Sequence, residues 1–130
     1  MKGIKAVILA IAAALILKLF IFDLIITQGQ SMEPAINDGN VLIISRLRYG
    51  VRSFWLQKYI IRWDRPAVGE VVVFYTPTKE LAVKRVSQLW YCETSGFNFY
   101  AEGDNELSSY DSRSYGPVSQ DNIIGRVLGY

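Results

Sequence analysis

Residues 6–17 read AVILAIAAALIL, twelve consecutive apolar positions that follow Lys2 and Lys5. A run of this kind must be covered by protein or by lipid. Cleavable signal peptides share its basic start and apolar centre. Here, however, the run leads into KLFIFDLIIT, which is bulky and lacks a small-x-small cleavage pattern. We therefore read an uncleaved anchor. Residues 4–22 make a helix about 28 Å long, against a hydrocarbon core of about 30 Å. Lys18 is the difficult residue, since a lysine at mid-membrane costs about 2.5–3.5 kcal/mol. Near the end of the span its stem stays in lipid while the ammonium reaches the interface. The competing reading is a core helix of a soluble protein. Lys2 and Lys5 favour a cytoplasmic N-terminus, with everything after about residue 24 across the membrane.

Beyond the anchor the pattern has a period of two. Residues 40–45 (NVLIIS), 70–76 (EVVVFYT) and 81–93 (LAVKRVSQLWYCE) read as strands rich in β-branched and aromatic residues. Residues 96–102 (GFNFYAE) pair with the strand before them through a turn at 93–96, and 122–130 (NIIGRVLGY) form a last strand. Turn signals stand at 37–39, 66–69, 103–105 and 116–117. The expected fold is mostly β: a small antiparallel β-sheet catalytic domain over residues 27–130, preceded by one transmembrane helix within residues 1–26. Residues 47–64 (LRYGVRSFWLQKYIIRWD) mix basic and aromatic side chains. They read either as a loop or short helix on an anionic membrane surface, or as a loop whose aromatics plug the sheet.

The formal charge of +2 is too small to suggest a nucleic-acid partner, and none is expected. Its distribution is uneven. Residues 46–65 hold six basic side chains against one acid, and residues 93–121 hold six acids against one base. The single cysteine, Cys92, excludes an internal disulfide framework and a cysteine-rich metal site. With no histidine in the chain, a Ser-His-Asp triad, a Cys-His dyad and an imidazole zinc site are all excluded. Neither metal nor cofactor is expected.

Ser31 lies in TQGQSMEPAI, just beyond the anchor. Ser-x-x-Pro is also a common turn or helix cap. A serine nucleophile without histidine needs another base, and a desolvated lysine can serve, because burial disfavours its charged form. Beyond the anchor the lysines are Lys58, Lys79 and Lys84. Lys79 sits in a solvated turn and Lys58 in the basic segment. Lys84 shares one strand face with Ala82 and Val86, a face that is either buried or wet. Residues 103–116 (GDNELSSYDSRSYG) read as a hydrophilic loop with an Asp111–Arg113 pair, or as a hydrogen-bonded shell around a buried amine.

Four motifs now stand in order after an anchor: GQSMEP (29–34), GEVVVF (69–74), VKRV (83–86) and GDNELSSYDSR (103–113). Together, over residues 18–130, they resemble the type I signal peptidases, membrane-bound Ser–Lys leader peptidases. The resemblance implies Ser31 as nucleophile and Lys84 as general base. It implies that Ser109 orients the amine and that Asp111 and Arg113 support the site, with Met32 and Asp104 as further supporting residues of the matched motifs. The Ser31 N–H would help form an oxyanion hole. Gly29 stands where some members carry a second hydroxyl donor. The implied activity is removal of signal peptides from exported preproteins, after small residues of the Ala-x-Ala type. The implied partners are those signal peptides, membrane lipid and the protein-export machinery. The implied location is the plasma or inner membrane, single-pass, with the catalytic domain outside the cytoplasm.

Ala35, Glu70 and the stretch SQLWYCE after Lys84-Arg-Val86 depart from the family pattern, where threonine, aspartate and a Gly-x-Pro-Gly-Asp turn are usual. The accessory β region of larger relatives is not recognisable, so a minimal catalytic core is expected. Two other readings stand beside the first. One is a relative that matures a single dedicated substrate, of pilin or conjugation type. The other is a non-catalytic membrane-tethered β module that assists another peptidase.

Overall fold

The computed structural model describes residues 1–53 and 55–130, with every side chain among them except that of Leu19; Phe54, within the segment 47–64, lies outside this description. Lys2–Ile21 forms one helix, α1. It carries no amphipathic stripe, and Ile4, Leu9, Ile16 and Phe20 are each more than half exposed. Among the described residues no helix is long and apolar enough to cross a membrane.

The chain then enters the sheet at once. Phe22–Ile26 is β1, so residues 22–26, which the sequence reading grouped with the anchor, form an edge strand. A short apolar run fits strand and helix alike, and periodicity alone does not separate them. β1 pairs in register with β2 (Val41–Ser45), Leu24 opposite Ile43 and Ile26 opposite Val41.

Next comes a hairpin of its own, β3 (Gly50–Ser53) and β4 (Lys58–Arg62), in a separate two-stranded sheet. The remaining strands are β5 (Val71–Tyr75), β6 (Leu81–Cys92), β7 (Gly96–Glu102), β8 (Val118–Ser119) and β9 (Ile123–Gly129). A one-turn helix, α2 (Ser112–Tyr115), precedes β8. The large sheet is antiparallel, in the order β1-β2-β9-β5-β6-β7-β8. The mostly β, antiparallel expectation holds.

β5 explains the core. Its four residues VVVF are all buried, Val72 and Phe74 in one cluster and Val71 and Val73 in the other. The curled sheet thus buries both faces of its central strand, which is why this strand reads as a continuous apolar run. Phe74 meets Phe99 edge-to-face at 5.2 Å, a geometry that adds about 0.5–1.5 kcal/mol beyond burial. Residues 47–64 hold a β-hairpin where a loop or short helix was expected, and two of their aromatics plug the sheet. Tyr49 and Tyr59 plug the first cluster, while Trp55 and Trp63 stay exposed.

Candidate active site

The loop after β1 carries Ser31. It is closed at its base by Thr27, whose N–H donates to the Asn40 carbonyl at 2.9 Å and whose hydroxyl donates to the Asn37 carbonyl at 2.8 Å. The turn at 37–39 is therefore the latch of the loop. Gly29 takes φ +92°, a left-handed conformation that favours glycine. Its N–H donates to the Asp38 carboxylate at 2.8 Å, and it offers no side-chain donor. Met32 is 3% exposed and packs with Ile36 and Val73, which pins the residue after Ser31 to the core.

β6 carries Lys84 on its buried face, between Ala82 and Val86. Lys84 is 6% exposed. Its side chain forms no hydrogen bond and no ion pair with any described residue. Desolvation pushes its pKa down; Asp111 pulls it back up and Arg113 pushes it down further. Arg85, on the opposite face of β6, holds the Asp104 carboxylate with two bonds of 2.9 and 2.8 Å.

Asp111 is fully buried. It accepts from the Ser109 hydroxyl at 2.6 Å, from the Gly103 N–H at 2.8 Å and from Arg113 through Nε and Nη2 at 3.0 and 2.6 Å. Burial opposes its charge, but these bonds outweigh burial and hold its carboxyl well below the usual range.

Ser31, Lys84, Gly29 and Met32 line one cleft of about 520 Å³, whereas Ser109, Asp111, Arg113 and Asp104 do not line it. The Ser31 loop forms one wall and residues 81–84 of β6 another, with Ser108 and Tyr110 at the rim. Ser31 and Lys84 both line the cleft but share no hydrogen bond, and Ser109 gives its proton to Asp111 rather than to Lys84. Catalytic hydrogen bonds are often loose before substrate binds.

Sequence reasoning assigned no role to two residues that tie the site together. The Asn105 N–H donates to the Ser31 carbonyl at 2.8 Å, and its side-chain amide donates to the Gln30 carbonyl at 3.0 Å. A Cβ on Gly103 would stand 2.5 Å from the Ser109 Cβ and 2.6 Å from the Ser31 carbonyl oxygen. Only glycine allows that approach. Both lie in the Gly-Asp-Asn run, which was the available signal.

The sequence model of the family described as "Signal peptidase, peptidase S26" matches residues 1–89 and 96–129. The chain belongs to this family. It is a serine peptidase of the type I signal peptidase kind, a hydrolase. Signal peptidase I of Bacillus caldolyticus is 26% identical to it, over 91% of this chain and 84% of the relative. Signal peptidase I T of Bacillus subtilis is 24% identical, over 93% and 79%. Mitochondrial inner membrane protease subunit 1 of Xenopus tropicalis is 32% identical, over 83% and 68%. The unmatched residues 90–95 are the tip of the β6–β7 hairpin, where the sequence departs from the family's turn, and none of them lines the cleft.

Proposed function

We propose that this peptidase removes signal peptides with Ser31 as nucleophile and Lys84 as general base, tethered to the membrane by α1. The observation that carries the reading is the state of Lys84: a buried side chain whose amine has no hydrogen-bond partner among the described residues, in the same cleft as Ser31. Neutral Lys84 takes the Ser31 proton as Oγ bonds to the scissile carbonyl carbon. The Ser31 N–H, which donates to no described residue, faces the developing oxyanion. Collapse breaks the C–N bond, and the Lys84 ammonium protonates the leaving amine. Water deprotonated by the same lysine then releases the acyl group from Ser31. The Ser109 oxygen, its proton directed to Asp111, is left to accept from the amine and orient it. Met32 and the Asp104–Arg85 pair hold the two walls in place.

The cleft lining combines apolar Ile25, Met32, Ile36 and Val83 with polar groups, and the apolar part would take small side chains of the Ala-x-Ala type. The membrane reading rests on α1, whose twenty residues span about 30 Å and which is apolar on every side between Lys5 and Lys18. Lys2 and Lys5 would set the N-terminus in the cytoplasm, with the domain from Phe22 onward on the other side.

The test is cleavage of a membrane-inserted precursor bearing an Ala-x-Ala site. Ser31→Ala and Lys84→Ala should each lose at least about a thousandfold in kcat/KM. Cleavage by Lys84→Ala near the wild-type rate would overturn the assignment of the base.

A further inference from the structure

The β3–β4 hairpin is not needed to build the cleft, and it joins no other strand. One side of it is spoken for. Tyr59 is buried and its hydroxyl donates to the Ile123 carbonyl at 2.9 Å, while Arg62 pairs with Asp121. The other side is bare. Val51 stands opposite Ile61, and Trp63 follows two positions later on the same side. Ile61 and Trp63 are more than half exposed, as are Leu56 and Ile60, and Trp55 at the tip is 96% exposed.

The charges along this element are only partly compensated, Arg62 by Asp121 and Arg48 by Asp64. The one acid between residues 46 and 65, Asp64, is held by Arg48. Among the described residues the Lys58 and Arg52 side chains form no ion pair: Arg52 donates to the Asp121 backbone carbonyl and Lys58 has no partner, while Arg65 lies over the Phe97 ring and its backbone N–H donates to the Asp64 carboxylate at 2.8 Å. Exposed tryptophans and aliphatics beside the unpaired Lys58, within a segment rich in arginine, are what an anionic lipid surface binds: the rings settle at the headgroup level and the cations meet lipid phosphates. A protein partner would need carboxylates placed against each cation, whereas a lipid surface supplies negative charge wherever they fall.

Chain geometry puts that surface within reach. The Arg46 N–H donates to the Ile21 carbonyl at the end of α1, at 2.8 Å, and the hairpin begins four residues later, at most about 14 Å along the chain. The strands extend it by about 17 Å more. We infer that the β3–β4 hairpin is a second membrane contact, which docks on anionic lipid and sets the orientation of the cleft relative to the bilayer. The inference rests on the reading of α1 as the anchor.

The full chain carrying Trp90→Phe keeps only the two hairpin tryptophans. It is reconstituted in phosphatidylcholine vesicles with and without about 30% phosphatidylglycerol, using lipids brominated near the interface. Bromine should quench at least about half of the emission on anionic vesicles and clearly less on neutral ones, and Lys58→Glu should move the anionic value toward the neutral one. Tryptophans that bromine does not quench and aqueous iodide does would overturn the proposal and leave the face to a protein partner. Equal quenching on the two lipid mixtures would overturn the role of charge. Alkaline extraction of the same vesicles reports α1 separately, so a chain that resists extraction without quenching keeps the anchor and loses only the hairpin contact.

Discussion

Arg113 and Lys84 are two cations disposed around one carboxylate, and the fold treats them oppositely. Arg113 takes Asp111 in a fork, and its own N–H adds a bond of 3.1 Å to Oδ1. With Ser109 and the Gly103 N–H, five donors saturate a carboxylate that has about four lone-pair sites. Nothing remains for Lys84, which feels Asp111 only at a distance and lies buried without a bond. The difference teaches how an amine's pKa is lowered even beside an acid. A guanidinium, which does not lose its proton, absorbs the negative charge, and the titratable lysine is left to desolvation.

The most direct way to break this arrangement is Gly103→Ala. The new methyl group meets the Ser31 carbonyl and the Ser109 side chain together, and the carbonyl cannot swing aside because Asn105 holds it. We expect a loss of about a hundredfold in kcat/KM and a lower melting temperature. Near-normal kinetics would show that the Ser31 loop and the loop at 103–113 are not mechanically coupled. A smaller effect follows from Arg113→Ala. It removes a charge that lowers the Lys84 pKa and frees one that raises it, so more of the lysine is protonated at neutral pH. Activity at neutral pH should fall about tenfold and return as the pH is raised, the rising limb of the kcat/KM profile moving to higher pH. Arg113→Lys should recover part of the shift. A uniform loss with an unmoved limb would make Arg113 a structural residue only.

Much of this architecture was legible in the chain. The strands of the central sheet announced themselves by β-branched residues at period two, and Asp111 and Arg113 lie close enough in sequence to be read as a pair. What was hidden depends on distant packing. Lys84 sits on an alternating strand, and whether its face is wet or buried is decided by distant segments, the Ser31 loop and residues 108 and 110, that meet it at the cleft, which no local pattern shows. β1 was hidden because an apolar strand directly continues an apolar helix. The β3–β4 hairpin was hidden because a register shift between Val51 and Arg52 breaks its alternation and its charges obscure the rest. The Asn105 contacts join residues seventy-five positions apart and have no signature beyond the motif itself.

The subtlest consequence of the comparison concerns stability rather than rate. Above the ordinary lysine value of 10.5 the side chain is neutral in both folded and unfolded states, and its burial costs little. Below its lowered folded value it is protonated in both, and the full desolvation penalty applies. Between the two, the unfolded chain binds the extra proton, so stability rises with pH across the window that ends at 10.5. Lys84→Met keeps the apolar stem and removes the titration. At neutral pH this variant should melt a few degrees above the wild type, and the gap should close as the pH approaches 10.5. Arg113, already paired, shows no such gain: its removal strands Asp111 and destabilises by about 1–3 kcal/mol. If instead Lys84→Met melts below the wild type at every pH, the ammonium is compensated in the folded state, and the contrast between the two cations fails.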